Sequence, residues 1–476
     1  MSSPSPAQTP APAEFAPPSG DRRLLRRLGL AGVVFFGLAY MAPGIVTSTF
    51  GVVSSTSGGA APTAYLVATV AMGLTAVSYA MLARAYPSSG SSYSYVGRLL
   101  GRHAGFLAGW VILLDYLFLP MVAWLIQSVY LHAQFPSVPL WVWVLVNIVP
   151  TTIVNLLGIT LADRVNTWLT IAAMALVATT TAVIIGFVVG GSGPAPDPAA
   201  AFWGPDASVL AVAAAAAVAA YSFLGFDAVS TLSEETRNPR RTIPLGIILV
   251  VLIGGAIFVA VSFVMQLAHP GGDFENPDIA GYSLLVTAGG ESLANVINLV
   301  GIIAAFGSGL AIQATSSRLL YVIGRDGVLP RRLFGRLNAF RVPWVNILLI
   351  AGIGMIGMLL DIAQATALIN FGAFLAFALV NAAFLVWIWR TRAARAGWAS
   401  TLLSLVPLAG IAIDLSLFSQ LHDTAFLIGG AWLVLGVVVL AIATRGFRRP
   451  VPKLEEDTGD LAPAKADAEP APVRSH

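Results

Sequence analysis

The sequence predicts an all-α integral membrane protein with twelve transmembrane helices. Ten of these form a five-plus-five inverted repeat with broken helices 1 and 6, and two C-terminal helices follow. Three observations favour this class. Of the 476 residues, 57% are hydrophobic and only 10% are charged, whereas soluble proteins have about 25% charged residues. Apolar runs long enough to cross a bilayer, about 20 residues each, recur along the chain. All 26 Lys and Arg residues lie in or beside alternate connections or near the termini.

The apolar runs define the segments of the chain. We predict disordered tails at 1–27 and 450–476, where large apolar residues are scarce. The first repeat is 28–190, the second, inverted repeat is 208–389, and helices 11 and 12 occupy 399–444. The twelve predicted spans are 28–55, 62–85, 104–133, 138–158, 163–190, 208–236, 242–267, 293–323, 342–360, 365–389, 399–419 and 422–444.

The distribution of positive charge predicts the orientation. Connections that face the cytoplasm carry an excess of Lys and Arg. In this chain every Lys and Arg falls in the N-terminal segment, in alternate connections or the span ends beside them, or in the C-terminal segment. An even number of spans then places both termini in the cytoplasm, and the protein is predicted to be a multi-pass protein of the cytoplasmic membrane.

Two of the predicted spans contain interruptions at matching depth. In span 1, Pro43 lacks a backbone N–H and biases Ala42 away from helical geometry, and Gly44 adds backbone freedom. In span 6 the interruption is predicted within 222–226. Each interruption lies about fifteen residues into its span, and the two spans run in opposite directions, as in transporters built from inverted repeats. Ordinary kinks are the alternative, because Pro and Gly are common in membrane helices.

Broken helices favour a binding site at the interruptions. Unwound backbone is tolerated at membrane depth only where it lines a cavity, and the N-terminus of a half-helix can face an anionic group. Asp227 follows the second interruption directly. A carboxyl in a low-dielectric cavity has its protonated form favoured, so Asp227 is predicted to carry the coupling proton or to contact an amine. A structural bond to unwound backbone is its alternative role.

Other intramembrane polar residues extend the candidate site. Asp115 lies deep in span 3 beside Tyr116, and we expect these two to hold a substrate amine, since intramembrane acids usually mark pathways. A structural acid is the alternative. Aromatic rings at Tyr40 and Phe226 could cover a cation, or serve only in packing. A structural role is expected for Asp414. Interhelical hydrogen bonds are expected from Asn370, Asn381 and Gln313, with a site contact also open for Gln313.

Several segments resemble a known family. The stretch "FLGFDAVSTLSEETRNPRRTIP" resembles the sixth-helix signature of the amino acid–polyamine–organocation (APC) permeases. The segments "ARAYPSSGSSYSYVGRLLG", "LLDYLFLPM", "SRLLYVIGRDGVLP" and "ATALINFGAFLAFALVN" are similar to parts of bacterial putrescine importers. The resemblance runs from about Leu28 to Arg445. It implies the five-plus-five fold and transport of amino acids or amines by proton symport or exchange.

The resemblance also implies roles for individual residues. It makes 42–44 the segment that receives a substrate carboxylate, Tyr221 a gate above the substrate, and Asp227 the proton carrier. Ser222 and Leu224 would contact substrate. The full predicted substrate site is Tyr40, Ala42, Pro43, Gly44, Ile45, Ser48, Asp115, Tyr116, Tyr221, Ser222, Phe223, Leu224 and Phe226.

Three departures from the family pattern bear on the substrate. Pro43 offers no N–H, which weakens carboxylate capture and favours an amine. Ser48 stands where putrescine importers carry an aspartate, which favours an amino acid. No Lys follows Arg164 in span 5, although some amino acid permeases place one near Ala173. The prediction is a proton-coupled importer of a small, putrescine-like amine, with a neutral or cationic amino acid symporter or exchanger as the alternative.

Other classes of function lack their sequence features. Cysteine is absent, which excludes disulfides and thiolate chemistry, and the five scattered histidines suggest no metal site. The chain has no catalytic cluster and no phosphate-binding Gly-x4-Gly-Lys-Ser/Thr motif. We therefore expect no enzymatic activity, no cofactor and no nucleic-acid partner. The expected partners are a small amine or amino acid, protons and the lipid bilayer.

Overall fold

A computed structural model describes residues 28–87, 92–158, 163–234, 236–325, 329–392, 398–446 and 448. The predicted tails lie outside these residues. All elements named within this part of the chain are helices, as the sequence predicts. The α-helices are α1 (Leu30–Met41), α2 (Ile45–Ser57), α3 (Ala61–Ala85), α4 (Ser92–Leu99), α5 (Arg102–Gln134), α6 (Leu140–Leu156), α7 (Asp163–Val189), α8 (Pro198–Phe202), α9 (Val209–Ala219), α10 (Pro239–Ala268), α11 (Ala280–Gly289), α12 (Glu291–Arg325), α13 (Arg331–Phe334), α14 (Trp344–Gly354), α15 (Ile362–Arg392), α16 (Trp398–Phe418) and α17 (Asp423–Ala443).

Short 3₁₀ helices complete the set. They cover Ala220–Phe223, Asp227–Glu234, Pro277–Ile279 and Met355–Leu359. The first two continue α9 through the interruption predicted in span 6. The tighter 3₁₀ geometry commonly marks a hinge or strained stretch within a span, so span 6 is locally distorted over most of its second half.

Many of these helices are suited to a membrane. Among the described residues, eight helices are long and apolar enough to cross a bilayer. The pair α1 and α2 passes the same test as one span bent by 51°. Three shorter apolar helices, Leu140–Leu156, Trp344–Leu359 and Leu402–Phe418, coincide with the predicted spans 4, 9 and 11. The chain is thus a multi-pass membrane protein.

The interior is a continuous packed core around α3, α5, α10 and α15. Its largest fully buried side chains include Trp124, Tyr65, Tyr79 and Phe258. α10 packs along α3, and α15 packs along both α5 and α16. The remaining faces of several helices expose large apolar side chains, including Leu427 on α17 and Val209 on α9, as expected where a helix faces lipid.

The last helix is fastened to the core by two tryptophans. Trp110 on α5 donates its indole N–H to the carbonyl oxygen of Trp432 on α17, and Trp432 donates to that of Trp110, both at 2.9 Å. Their rings stack with centroids 4.8 Å apart. Gly436 lies against the Trp110 ring, where a larger residue would collide. α17 is therefore attached to the helix that carries Asp115.

This attachment predicts a stability effect. Trp432→Phe should keep the stacking but lose the indole donor, at a cost of about 1 kcal/mol, typical of an interhelical hydrogen bond in a membrane protein. Thermal unfolding in detergent should show a lower midpoint. Trp389→Phe, at a site that is 54% exposed, serves as the control and should leave the midpoint unchanged. Equal midpoints for the two variants would contradict the role of the pair.

Candidate functional site

The first interruption lies between α1 and α2. α1 ends at Met41, and Ala42 takes a left-handed conformation with φ 46°, which is uncommon for a residue other than glycine. Pro43 follows, and Gly44 precedes the first residue of α2. The Thr47 hydroxyl donates to the Gly44 carbonyl oxygen at 2.7 Å. The chain is thus bent, and its backbone is held, at the position that the sequence predicts.

The second interruption follows α9. After the 3₁₀ turn Ala220–Phe223, Leu224 has an extended ψ of 134°, and Gly225 has φ 106°. The second 3₁₀ helix then begins at Asp227. The positive φ of Gly225 lies in a region that L side chains rarely adopt. The break therefore lies at Leu224–Phe226, inside the predicted interval.

The two interruptions are in contact. The Tyr40 ring lies against Gly225, in the space that a Cβ atom at this residue would occupy. α1 packs with the 3₁₀ helix Asp227–Glu234, and α2 packs with α9. At the far end, the Arg237 N–H donates to the Leu28 carbonyl oxygen at 2.9 Å. The first half of each broken span therefore lies beside the second half of the other, so the two spans run antiparallel.

A cavity of about 260 Å³ opens beside the interruptions. Its walls come from the two broken spans and from α5, α7, α11 and α12. The lining is largely apolar, with hydroxyl and amide groups at intervals, and its described residues are all uncharged. The volume suits a small ligand, because sites for drug-sized molecules are commonly larger, at about 300–1,000 Å³.

This cavity is lined by most of the substrate-site residues predicted at the first break and by two of those predicted near the second. The lining includes Tyr40, Ala42, Pro43, Gly44, Ile45, Ser48, Tyr221 and Leu224. Ser222, Phe223 and Phe226 are buried behind it. Phe223 packs edge-on against Phe258, with ring centroids 5.0 Å apart, and Phe226 packs against Tyr79 and Phe377. The structure thus separates the predicted site into a cavity wall and a packed layer.

Asp115 and Tyr116 lie next to the cavity rather than in its wall. Asp115 is one helical turn before Leu119, a lining residue of α5, and residues four apart share a helix face. The Asp115 Oδ1 atom is buried, with no hydrogen-bond partner among the described residues. Asp115 interacts electrostatically with Tyr40 and Tyr221, both in the cavity wall. An unsatisfied carboxyl oxygen therefore lies at one end of the cavity.

Asp227 is close to the same group. It interacts electrostatically with Asp115, Tyr40 and Tyr116. Its carboxyl also lies near the backbone N–H groups of Asp227, Ala228 and Gly225, at the break and the start of the 3₁₀ helix that follows it. The structure thus brings together, near Tyr40, the two intramembrane acids predicted from the sequence.

Parts of the cavity wall come from residues outside the predicted site. Gln127 and Tyr130 on α5 line the cavity, as do Tyr282 on α11 and Asn298 on α12. The Tyr130 hydroxyl donates to the Thr47 carbonyl oxygen at 3.1 Å, which joins α5 to the first turn of α2. A signal was present in α5, where Asp115, Leu119, Ala123, Gln127 and Tyr130 recur at helical spacing on one face.

An acid also lies near the end of the cavity away from Asp115. Asp278 is in the 3₁₀ helix Pro277–Ile279, just before α11, and interacts electrostatically with Tyr130. Burial, followed by the nearby carboxylate of Asp361, raises the pKa of Asp278 to about 6. This carboxyl is therefore mostly ionised above pH 6, and acidic side chains lie near both ends of the cavity.

Comparison with known proteins identifies the family. The sequence matches the family described as amino acid permease over residues 32–452. The chain belongs to this family. The permease is accordingly a membrane transporter rather than an enzyme, as the APC resemblance of its motifs implies.

Individual relatives carry different substrate names. The permease is 36% identical over 451 residues to the low-affinity putrescine importer PlaP of Escherichia coli, covering 92% of this chain and 98% of the relative. It is 28% identical to the methylthioribose transporter of Bacillus subtilis, over 75% of this chain and 80% of the relative. It is also 26% identical to the branched-chain amino acid permease BcaP of Lactococcus lactis, over 74% and 80% respectively.

The geometry of the second break predicts a sharp difference between two glycines. Gly225→Ala would place a Cβ against Tyr40 at a positive φ, whereas Gly44→Ala meets only Val177, at 3.6 Å. We expect Gly225→Ala to reduce substrate uptake at least about tenfold, since a left-handed conformation alone costs roughly 1–2 kcal/mol. The measurement is uptake in proteoliposomes at matched protein density.

Gly44→Ala is the control for this comparison and should keep uptake within about twofold, because ordinary van der Waals room is available. Loss of uptake in Gly44→Ala with normal uptake in Gly225→Ala would contradict the described breaks.

Proposed function

We propose that the permease imports a small, putrescine-like amine across the cytoplasmic membrane, together with protons. The observation that carries this proposal is Asp115. Its buried Oδ1 lacks a hydrogen-bond partner among the described residues, and two tyrosines of the cavity wall interact with it. A protonated amine that reaches this end of the cavity would pair with the carboxylate and satisfy the free oxygen atom.

The surroundings of the cavity support a cationic substrate. The connections without Lys or Arg, with the helix starts beside them, carry acids: Asp197, Asp206, Asp273, Glu275, Asp278, Glu291, Asp361 and Asp423. Such a surface raises the local concentration of a cation. Within the cavity, the electron-rich faces of Tyr40 and Tyr221 can contact an ammonium group. The similarity to a putrescine importer agrees with this substrate class.

The proposed architecture is twelve spans with the two interrupted helices at the centre of an inverted repeat. The antiparallel contact of α1–α2 with the broken span 6 supports it, as does the agreement of three shorter helices with predicted spans. With all Lys and Arg on one side, both termini lie in the cytoplasm. The segments 28–190 and 208–389 are the two repeats, and 399–444 is the appended helix pair.

Proton coupling follows from the pair of acids around Tyr40. Two neighbouring carboxylates in a low-dielectric site repel one another, so the ionisation of both Asp115 and Asp227 is unfavourable unless cations bind. We propose that the amine pairs with Asp115 while Asp227 carries a proton. The loaded site then holds no uncompensated carboxylate, which lowers the cost of moving it past the apolar layer behind the cavity.

An amino acid is the alternative substrate. The start of α2 faces the cavity at Gly44 and Ile45, and the N-terminus of a helix attracts a carboxylate. Ser48 contributes a hydroxyl group rather than an acid. Against this alternative, Pro43 removes one backbone donor from the same turn, and a carboxylate would enter a cavity with acids near both ends.

Ligand-induced stabilisation separates these two substrates. We would measure the melting temperature of the full-length protein against putrescine, its homologues and amino acids, since a ligand of the folded state stabilises it by mass action. We expect stabilisation by putrescine that Asp115→Asn reduces at least about tenfold in apparent affinity, the loss of a charged pair being worth over 1.4 kcal/mol. Stabilisation by amino acids alone would overturn the amine proposal.

Asp227 is tested by its own isosteric variant. Asp227→Asn should abolish accumulation driven by a proton gradient, because an amide cannot bind and release the proton. Exchange of substrate down its own gradient should persist. The measurement is uptake into proteoliposomes with and without an imposed pH difference. Full gradient-driven accumulation by Asp227→Asn would remove Asp227 from coupling.

A further inference from the structure

A second buried carboxyl lies outside the substrate cavity. Asp414 on α16 has 0% of its surface exposed. Its Oδ2 atom accepts hydrogen bonds from the Thr75 hydroxyl on α3 at 3.1 Å and from the Asn381 amide nitrogen on α15 at 2.9 Å. The amide nitrogen also donates to Thr75 Oγ1 at 2.9 Å. These three side chains from three helices form one closed group.

The orientation of this group is fixed by its neighbours. The Ser78 hydroxyl donates to Asn381 Oδ1 at 2.5 Å, so the amide N–H groups are directed away from Ser78 and towards Asp414. Gly410, one turn before Asp414, leaves the space that the Asn381 amide fills. The carboxyl therefore faces donor hydrogens on one oxygen, while Oδ1 has no hydrogen-bond partner in the part of the chain that the structure describes.

Among the described side chains of the helices that pack against α16, none that is basic lies beside this carboxyl. α16 packs against α3, α9 and α15. The titratable residues of these helices are Tyr65, Tyr79 and Arg84 on α3 and Arg390 and Arg392 on α15, while α9 has none. Arg84 and Arg390 are each nine residues beyond the partners of Asp414, about 13 Å along their helices. Of this set, Tyr79 interacts electrostatically with Asp414.

A bound proton neutralises such a group better than a metal ion would. An unpaired carboxylate in a dry interior is costly, so the group must take up a cation or a proton. A metal ion needs lone pairs directed at it, whereas the hydroxyl and amide here present hydrogen atoms to Oδ2. The free Oδ1 atom is available to a proton. The geometry thus favours a protonatable acid over a metal site.

Tyr79 connects this acid to the substrate site. It follows Thr75 by one helical turn on α3 and interacts electrostatically with both Asp227 and Asp414. Its ring packs edge-on against Phe226, with centroids 5.6 Å apart, and against Phe377, at 6.0 Å. Phe226 precedes Asp227, and Phe377 lies one turn before Asn381. A movement of the second break would therefore displace the side chains that surround Asp414.

We propose that Asp414 is a second proton-binding site of the transport cycle, separate from the substrate cavity and linked to the break at Asp227 through Tyr79. A proton from one side of the membrane binds a carboxyl oxygen of Asp414 and changes its charge from negative to neutral. The same O–H bond breaks when the proton leaves to the other side. This inference rests on the proton-coupled transport proposed above.

The test measures the number of protons moved with each putrescine. Full-length protein is reconstituted in proteoliposomes with a fixed concentration gradient of labelled putrescine. The coupling ratio, in protons per putrescine, is obtained from the pH difference at which the net flux of putrescine is zero. We expect Asp414→Asn to lower the ratio by one proton per substrate, with putrescine affinity within twofold of wild type because Asp414 does not line the cavity. An unchanged number of protons per putrescine in this variant would overturn the proposal that Asp414 binds a proton.

A second variant covers the case in which Asp414→Asn does not fold. Thr75→Val retains the carboxyl but removes a donor that favours its ionised form, so the pH midpoint of uptake should move to higher pH by roughly one unit. Thr366→Val on α15 is the matched control, because this buried hydroxyl bonds only carbonyl oxygens of its own helix. Identical pH profiles of uptake for both variants and wild type would overturn the proposal that Asp414 binds a proton.

The wild-type measurement distinguishes the two proposals. In one outcome, wild-type uptake follows the proton gradient and Asp414→Asn moves as many protons per putrescine as wild type. That outcome would leave the proposed function intact and would contradict only the proton-binding role of Asp414. Wild-type putrescine uptake that ignores the gradient would contradict the proposed proton coupling and, with it, the second site.

Discussion

The contact between Tyr40 and Gly225 is the constraint on which the site depends. It joins the last turn of α1, just before the first interruption, to the backbone of the second interruption. In a membrane such backbone must face protein or a polar cavity, because lipid offers no hydrogen-bond partner. Pairing the breaks meets this requirement for both helices at one place. The cavity, the free end of α2 and the two acids are all arranged around this contact.

The rest of the core restricts where that paired break can sit. Aromatic side chains pack behind the cavity: Phe223 against Phe258, and Phe226 against Tyr79 and Phe377. Because packed interiors rearrange between discrete states rather than deform continuously, motion of the break requires these rings to repack together. This layer separates the cavity from the Asp414 group, so a single rearrangement can affect both.

Polar side chains within the spans are satisfied mainly across helices. Gln313 accepts from the Asn155 amide at 2.8 Å and donates to the Thr152 hydroxyl at 3.0 Å. Asn370 donates to the Ala217 carbonyl oxygen at 2.7 Å, near the end of α9. The expectation of interhelical hydrogen bonds is confirmed at both residues, and Asn381 bonds Asp414 in the same way. These bonds fix helix rotation in a protein whose helices are apolar on nearly all sides.

The sequence by itself determined the membrane class, the apolar runs that became helices, the position of both breaks and the family. Each depends on local features: run length, the backbone chemistry of Pro43 and Gly225, and ordered motifs. It did not reveal Asn298 as a cavity wall, the burial of Phe223 and Phe226 behind the cavity, or the pairing of Asp414 with Thr75. Only the tertiary structure decided these, because a helix that is apolar all round has no polar stripe to mark its inward face, and its rotation is set by packing against helices distant in the chain.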